Sequence, residues 1–195
     1  KQGIIASPEG QDMGDKDNTD INILEKNKVN VIHNPSSNMK LGSGVADIKT
    51  LYEKGINIGL GSDSSASNNR LDIIGEIRST LLLHKGRNQD AEFLKPLDVI
   101  KMATINSAKA IGLDDKIGSI EIGKRADITV INLNLIECQP CYDPLSTFVY
   151  SADKNSVSHV WVDGQIKVKK FFLVNIDEDK LIHNAKLWQT KIKKI

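Results

Sequence analysis

Asp63 is the residue of this chain best placed to do chemistry. It sits in GLGSDSSASNN, residues 59–69, directly after the apolar run Ile56-Asn57-Ile58-Gly59-Leu60-Gly61. That order describes a buried strand that delivers one carboxylate to its C-terminal end. In a parallel α/β barrel, chemistry is done at that end. A carboxylate there can ligate a divalent cation, accept a proton from an activated water and pass it to a leaving group. The same position also suits a plain turn or cap residue. The four histidines, His33, His84, His159 and His183, include no pair spaced like metal ligands. One carboxylate falls short of the three or four protein ligands of a catalytic metal, so the chain reads as part of an enzyme.

Other polar residues have weaker claims. His33 ends an apolar strand, where it either lines a substrate pocket or hydrogen-bonds within the Asn34-Pro35 turn. Ser36, Ser37 and Asn38 read as loop-formers, and Ser65, Ser67, Asn68 and Asn69 as caps of the following helix. His84, His159 and His183 read as structural or exposed. Cys138 and Cys141 have C-x-x-C spacing, but there is no second pair for a zinc ribbon and no thioredoxin-like context.

Residues 1–20 have little apolar periodicity and many turn formers, and are expected to be an irregular arm. Residues 21–113 alternate strand and helix. The run 29–33 is a strand; residues 45–54 are a helix with Val45, Ile48, Leu51 and Tyr52 on one face; residues 56–61 are the next strand. A helix follows, capped by Asn68 or Asn69, with Leu71, Ile74, Ile77 and Leu81 inward, and another runs from Pro96 to Ile111. Two such parallel units leave both outer strand edges unpaired. Residues 114–176 read as a small β module, with a hairpin at Asp163-Gly164. A helix over residues 177–195 is expected to bury Leu181, Ala185, Trp188 and Ile192.

Bulk properties exclude several classes. The 195 residues carry 26 basic and 25 acidic side chains, and aromatics are 5%. Nothing in this recruits nucleic acid or an anionic membrane. No apolar run approaches the length of a membrane span. With two cysteines, a polar N-terminus and no visible secretory signal, a cytoplasmic location is expected.

Taken in order, HNPSSNMKLGSG (33–44), GLGSDSSASNN (59–69), ATINSAKAIGL (103–113), IGSIEIGKRADITVI (117–131), YDPLSTFVYSA (142–152) and VWVDGQ (160–165) resemble the amidohydrolase superfamily. The nearest branch is the chlorohydrolase-like aminohydrolases, which include 5-methylthioadenosine/S-adenosylhomocysteine deaminases. The resemblance implies an α/β fold: the C-terminal part of a (β/α)8 TIM-like metal-dependent hydrolase barrel, plus part of a small β-sandwich. Residues 29–33 would be barrel strand 7 and 56–61 strand 8. Asp63 would be both metal ligand and catalytic proton shuttle, inside a cavity that this chain half encloses. An Asp63 side chain facing solvent, or antiparallel pairing of residues 56–61 with their neighbours, would end that reading of an enclosed site. The implied cofactor is a divalent metal, zinc first and iron(II) as the alternative. The implied reaction is hydrolysis of an exocyclic amine of a purine-type nucleoside or related heterocycle, with release of ammonia.

The departures from the family pattern define a second reading. The H-x-H pair of strand 1, the His and Glu of strand 5 and the His of strand 6 have no counterpart, and QDMGDKDNT, where the strand 6 His belongs, contains none. Ser64 stands where Gly is common. A chain so reduced is not expected to hold a metal by itself. It would need an N-terminal barrel half or a second copy, and the alternative is an inactive truncated or split chain acting only as a structural partner.

Overall fold

The computed structural model describes residues 4–6 and 19–193. Strand β2 (Asn30–His33) is the centre of a three-stranded parallel sheet, with β1 (Ile4–Ala6) on one side and β3 (Ile58–Leu60) on the other. Ile5 lies opposite Val31, and Val31 opposite Ile58. The irregular arm expected over residues 1–20 is therefore corrected at residues 4–6, which add a strand to the sheet, while residues 7–18 fall outside the described residues. Helix α1 (Thr19–Lys26) precedes β2 and buries Ile21 and Leu24.

Parallel neighbours need a crossover rather than a hairpin. Between β2 and β3 this is made by α2 (Pro35–Leu41) and α3 (Ile48–Glu53). Pro35 opens α2, where a missing N–H costs nothing, and Gly42 closes it with φ 69°. Asp47 caps α3 by accepting the Thr50 N–H at 3.2 Å. The HNPSSN segment is thus helical from Pro35 on, so Ser36, Ser37 and Asn38 are not loop residues.

Strand residues alternate in direction. Val31, Ile58 and Leu60 enter the main core with Ile48, Leu51, Ile77, Leu81 and Val99. Asn30, Ile32 and Asn34, with Gly59 and Gly61, take the opposite face. Helix α4 (Ile73–Asn88) starts later than expected: Asp72, not Asn68 or Asn69, caps it by accepting the Gly75 N–H at 3.0 Å. Leu71 consequently lies outside the helix and is exposed, whereas Ile74, Ile77 and Leu81 are buried.

The helix read over 96–111 is continuous in direction but not uniform. It runs as α5 (Pro96–Lys101), a π-helical turn over Met102–Asn106, and α6 (Ser107–Ala110). The wide turn aims two polar side chains at the outer edge of β3. Asn106 Nδ2 donates to the Ile58 carbonyl at 3.2 Å, and the Leu60 N–H donates to Ser107 Oγ at 3.1 Å. The Ser107 hydroxyl lies 2.7 Å from the Met102 carbonyl, to which it donates. The expectation of two open strand edges is corrected on one side: side chains cover the far side of β3, while β1 pairs with β2 and takes over the outer place on the other side.

The second half forms an antiparallel sheet in the order β4 (Ile128–Ile131), β5 (Val157–Val162), β6 (Gln165–Lys169) and β7 (Phe172–Leu173). Asp163 and Gly164 join β5 to β6, both at positive φ, as a two-residue hairpin demands. Residues 116–123, at the start of the expected β module, form turns and bends rather than strand. Helix α7 (Pro144–Tyr150), capped by Asp143, joins the core of the parallel sheet through fully buried Val149. The Arg78 guanidinium of α4 secures it by donating to the Val149 carbonyl at 3.0 Å and to that of Ala152. Helix α8 (Glu178–Ile192) forms behind its Asp177 cap, but the expected burial of Leu181, Ala185, Trp188 and Ile192 does not occur. Its apolar stripe has no described element lying over it.

Ser107→Ala is expected to lower stability by about 1–3 kcal/mol, because the Leu60 N–H loses its acceptor away from water. The midpoint of urea unfolding checks this.

Candidate active site

Asp63 stands three residues beyond the end of β3, with φ 60°. That left-handed conformation is open to Asp at modest cost, and it turns the side chain back toward α2. Ser37 Oγ donates to Oδ2 at 2.6 Å, and the Ser64 N–H donates to Oδ1 at 2.7 Å. Hydrogen bonds to the charged form favour it. The Ser37 hydroxyl first, and the Ser64 amide next, hold the Asp63 carboxyl below the usual carboxylate range. Asp63 is therefore an ionised acceptor at neutral pH, with lone pairs left on both oxygens.

The carboxylate is exposed, which corrects the expected half-enclosed cavity. The physical reason is that a three-stranded sheet is open: no described strand faces Asp63 across the gap. Among the described residues no group of three or more His, Cys, Asp and Glu side chains is placed to hold a metal ion.

Two glycines permit the close approach behind this site. A Cβ at Gly59 would meet the Ile32 side chain and Ser107, and one at Gly61 would collide with Asn34 Oδ1.

Ser37 is a site residue that spacing alone did not single out. It is buried at 2% exposure in the first turn of α2, which brings it to the carboxyl end of the neighbouring strand. Glu76 was missed entirely. Its carboxylate, also 2% exposed, accepts the Ser36 N–H on Oε2 at 3.1 Å and Asn68 Nδ2 on Oε1 at 2.8 Å. Asn68 Nδ2 also donates to the Ser62 carbonyl at 2.7 Å, so the expected capping role belongs instead to a loop tie. A signal was available. Glu76, Thr80 and His84 recur at every fourth position beside the apolar Ile74, Ile77 and Leu81, and all three are buried.

Among the described residues the His33 ring is buried and makes its hydrogen bond to another ring rather than within the Asn34-Pro35 turn. It points into the helix layer, 1% exposed, with Nε2 at 3.0 Å from His84 Nε2. Its place on β2 decides this, since it shares a face with Val31. Neither Nδ1 has a partner among the described residues. Burial, and then the neighbouring imidazole, push His33 down to about 3. Burial first, then Arg87 against a smaller opposing effect of Asp47, pushes His84 down to about 4. Both rings are neutral at pH 7, and one proton is shared across the Nε2 contact. His159 stacks on Trp161 at 5.6 Å. Cys138 and Cys141 are free thiols, with Cys138 buried and its thiol pushed up by that burial.

The histidine pair gives a pH signature. The unfolded chain takes up protons near pH 6.5 that the folded chain refuses until about pH 4 to 3. Stability is therefore fully present above about pH 6.5 and falls progressively below it. His84→Gln is expected to reduce that pH slope by about half, read from urea midpoints between pH 7 and pH 4.5.

The model of the Amidohydrolase family matches residues 2–167. A 5-methylthioadenosine/S-adenosylhomocysteine deaminase from Acetivibrio thermocellus is 42% identical over 167 residues, which are 86% of this chain and 39% of that protein. A 5′-deoxyadenosine deaminase from Methanosarcina acetivorans is likewise 42% identical over 167 residues, 86% of this chain and 38% of that protein. The crystal structure of an adenosine deaminase from Xanthomonas campestris with bound zinc superposes with a TM-score of 0.92 at 34% identity, covering 98% of this chain and 43% of that one. An atrazine chlorohydrolase from Arthrobacter aurescens, with zinc and atraton, gives 0.84 at 25% identity over 94% of this chain and 40% of that one. The chain spans about two fifths of the length of the curated relatives it matches. With a family model over most of its length and an α/β fold shared with these hydrolases, the chain belongs to the amidohydrolase family.

Proposed function

We propose that this chain is the C-terminal portion of a metal-dependent deaminase that hydrolyses the exocyclic amine of a purine nucleoside of the 5-methylthioadenosine/S-adenosylhomocysteine type. The observation that carries the reading is the placement of Asp63. It stands past the carboxyl end of a parallel strand, within the matched region, with its carboxylate kept ionised by Ser37 and Ser64. The names of the relatives supply the substrate class.

The described residues do not make a metal centre by themselves, since Asp63 is one donor where three or four are needed. The remaining ligands would come from polypeptide that restores the missing strands. A zinc or iron(II) ion supplies Lewis-acid activation of water in sites of this kind. The task of this chain is to move protons. Asp63 Oδ1 or Oδ2 accepts a proton from the water that attacks the amidine carbon. It returns that proton to the departing nitrogen, so that water and the aminopurine give the oxopurine and ammonia. Ser37 keeps Asp63 from turning away and keeps it charged before the water arrives.

A second reading, a non-catalytic partner, is favoured by the exposure of Asp63 and by the lack of a ligand cluster among the described residues. One reconstitution separates the two. The chain is combined with the N-terminal portion of the Acetivibrio relative, and ammonia released from 5′-methylthioadenosine is measured alongside zinc content. The chain alone is expected to be inert and metal-free. The assembled protein is expected to bind about one ion and turn over, with Asp63→Asn slower by about 100-fold or more. An assembled, metal-loaded protein that releases no ammonia from any purine nucleoside removes the deaminase reading.

A further inference from the structure

A buried carboxylate with no cationic partner is costly unless several donors satisfy it. Among the described residues Glu76 is such a group, and its donors come from two separate segments. Ser36 lies at the start of α2, one residue before the Ser37 that bonds Asp63. Asn68 lies within the loop that carries Asp63, and its amide also reaches back to the Ser62 carbonyl, one residue before Asp63. The Glu76 side chain is thus one bridge between the two segments, which also meet at the Ser37–Asp63 bond of 2.6 Å and, on the exposed side, through Lys40 Nζ, which donates to the Ala66 carbonyl at 3.1 Å and to Asn69 Oδ1. Helix α4 anchors that bridge. Ile74 and Ile77 fix its first turns in the apolar layer, and the Thr80 hydroxyl donates to the Glu76 carbonyl at 2.8 Å.

We propose that Glu76 is a positioning residue for Asp63: by holding Ser36 and Asn68 on one carboxylate, it sets the gap between α2 and the Asp63 loop so that Ser37 meets Oδ2. This rests on reading Asp63 as the reacting carboxylate. Glu76 touches no reacting atom and acts only through the two segments it ties.

The chemistry of the site picks the test. Glu76→Gln preserves shape, but both incoming groups are donors. Whichever way the amide turns, its NH2 faces one of them and one bridge is lost. In the 195-residue chain, the readout is the NMR resonance of the Ser64 amide, which donates to Asp63 Oδ1. Ser37→Ala is expected to shift it upfield, and Glu76→Gln to shift it in the same direction. The double variant is expected to add nothing further, because both act on one bond. The amides of Val31 and Ile58 should stay in place, marking an intact core. In the protein assembled as above, Glu76→Gln is expected to lower kcat by about tenfold, as loss of one charged hydrogen bond would, with KM little changed. If Glu76→Gln does not fold, Asn68→Ala cuts the same bridge from the loop side and is read identically. An unmoved Ser64 resonance overturns the proposal, and so does an additive double variant or an unchanged kcat. If Asp63→Asn remains fully active while the Ser64 coupling holds, it is the reading of Asp63 that fails and the bridge that stands.

Discussion

Parallel pairing of β2 with β1 and β3 is the constraint on which the rest depends. Parallel strands must be joined by helical crossovers, and these bury one sheet face completely. Val31, Ile58 and Leu60 are therefore committed to the helix layer, and their neighbours in sequence to the other face. The carboxyl ends of β2 and β3 then lie side by side, so the segments following them, HNPSSN and SDSSASNN, are forced to meet. The Ser37–Asp63 bond and the Glu76 bridge are consequences of that meeting.

The polar contacts are graded by burial. Ser37 and Glu76 sit in the interior, where each hydrogen bond is insulated from water and its geometry is enforced. Asp63 itself stands in the open. A charged group intended to exchange protons has to remain reachable, whereas the groups that orient it are best kept rigid and dry. Helix α4 serves both needs by carrying the apolar line of Ile74, Ile77 and Leu81 beside the polar line of Glu76, Thr80 and His84.

Much of this was legible in the residues. Strands around Val31 and Ile58, the helix that ends before Gly55, and the Asp163-Gly164 hairpin all follow from apolar period and turn chemistry. The position of Asp63, just past the end of a parallel strand, was legible too, although such a position equally suits a turn residue. The tertiary partners were not legible. His33 belongs to an unforeseen pair because facing His84 depends on helix packing, which sequence spacing does not encode. Ser37 reads as a loop residue because the helix that holds it has only seven residues, too short for a periodic signal. The short β1 was hidden because three residues carry no pattern at all. Helix α8 erred the other way: its apolar stripe is plain, yet a stripe says only that a surface is wanted, not that one is present.

The side chains that occupy the far flank of β3 have one more effect. Asn106 and Ser107 use up the Ile58 carbonyl and the Leu60 amide, groups that an exposed strand would otherwise offer to any passing chain. Accretion of foreign β-structure is thereby blocked on that flank without a covering strand. A strand that completes a barrel on that flank has to displace these two side chains before it can pair with β3.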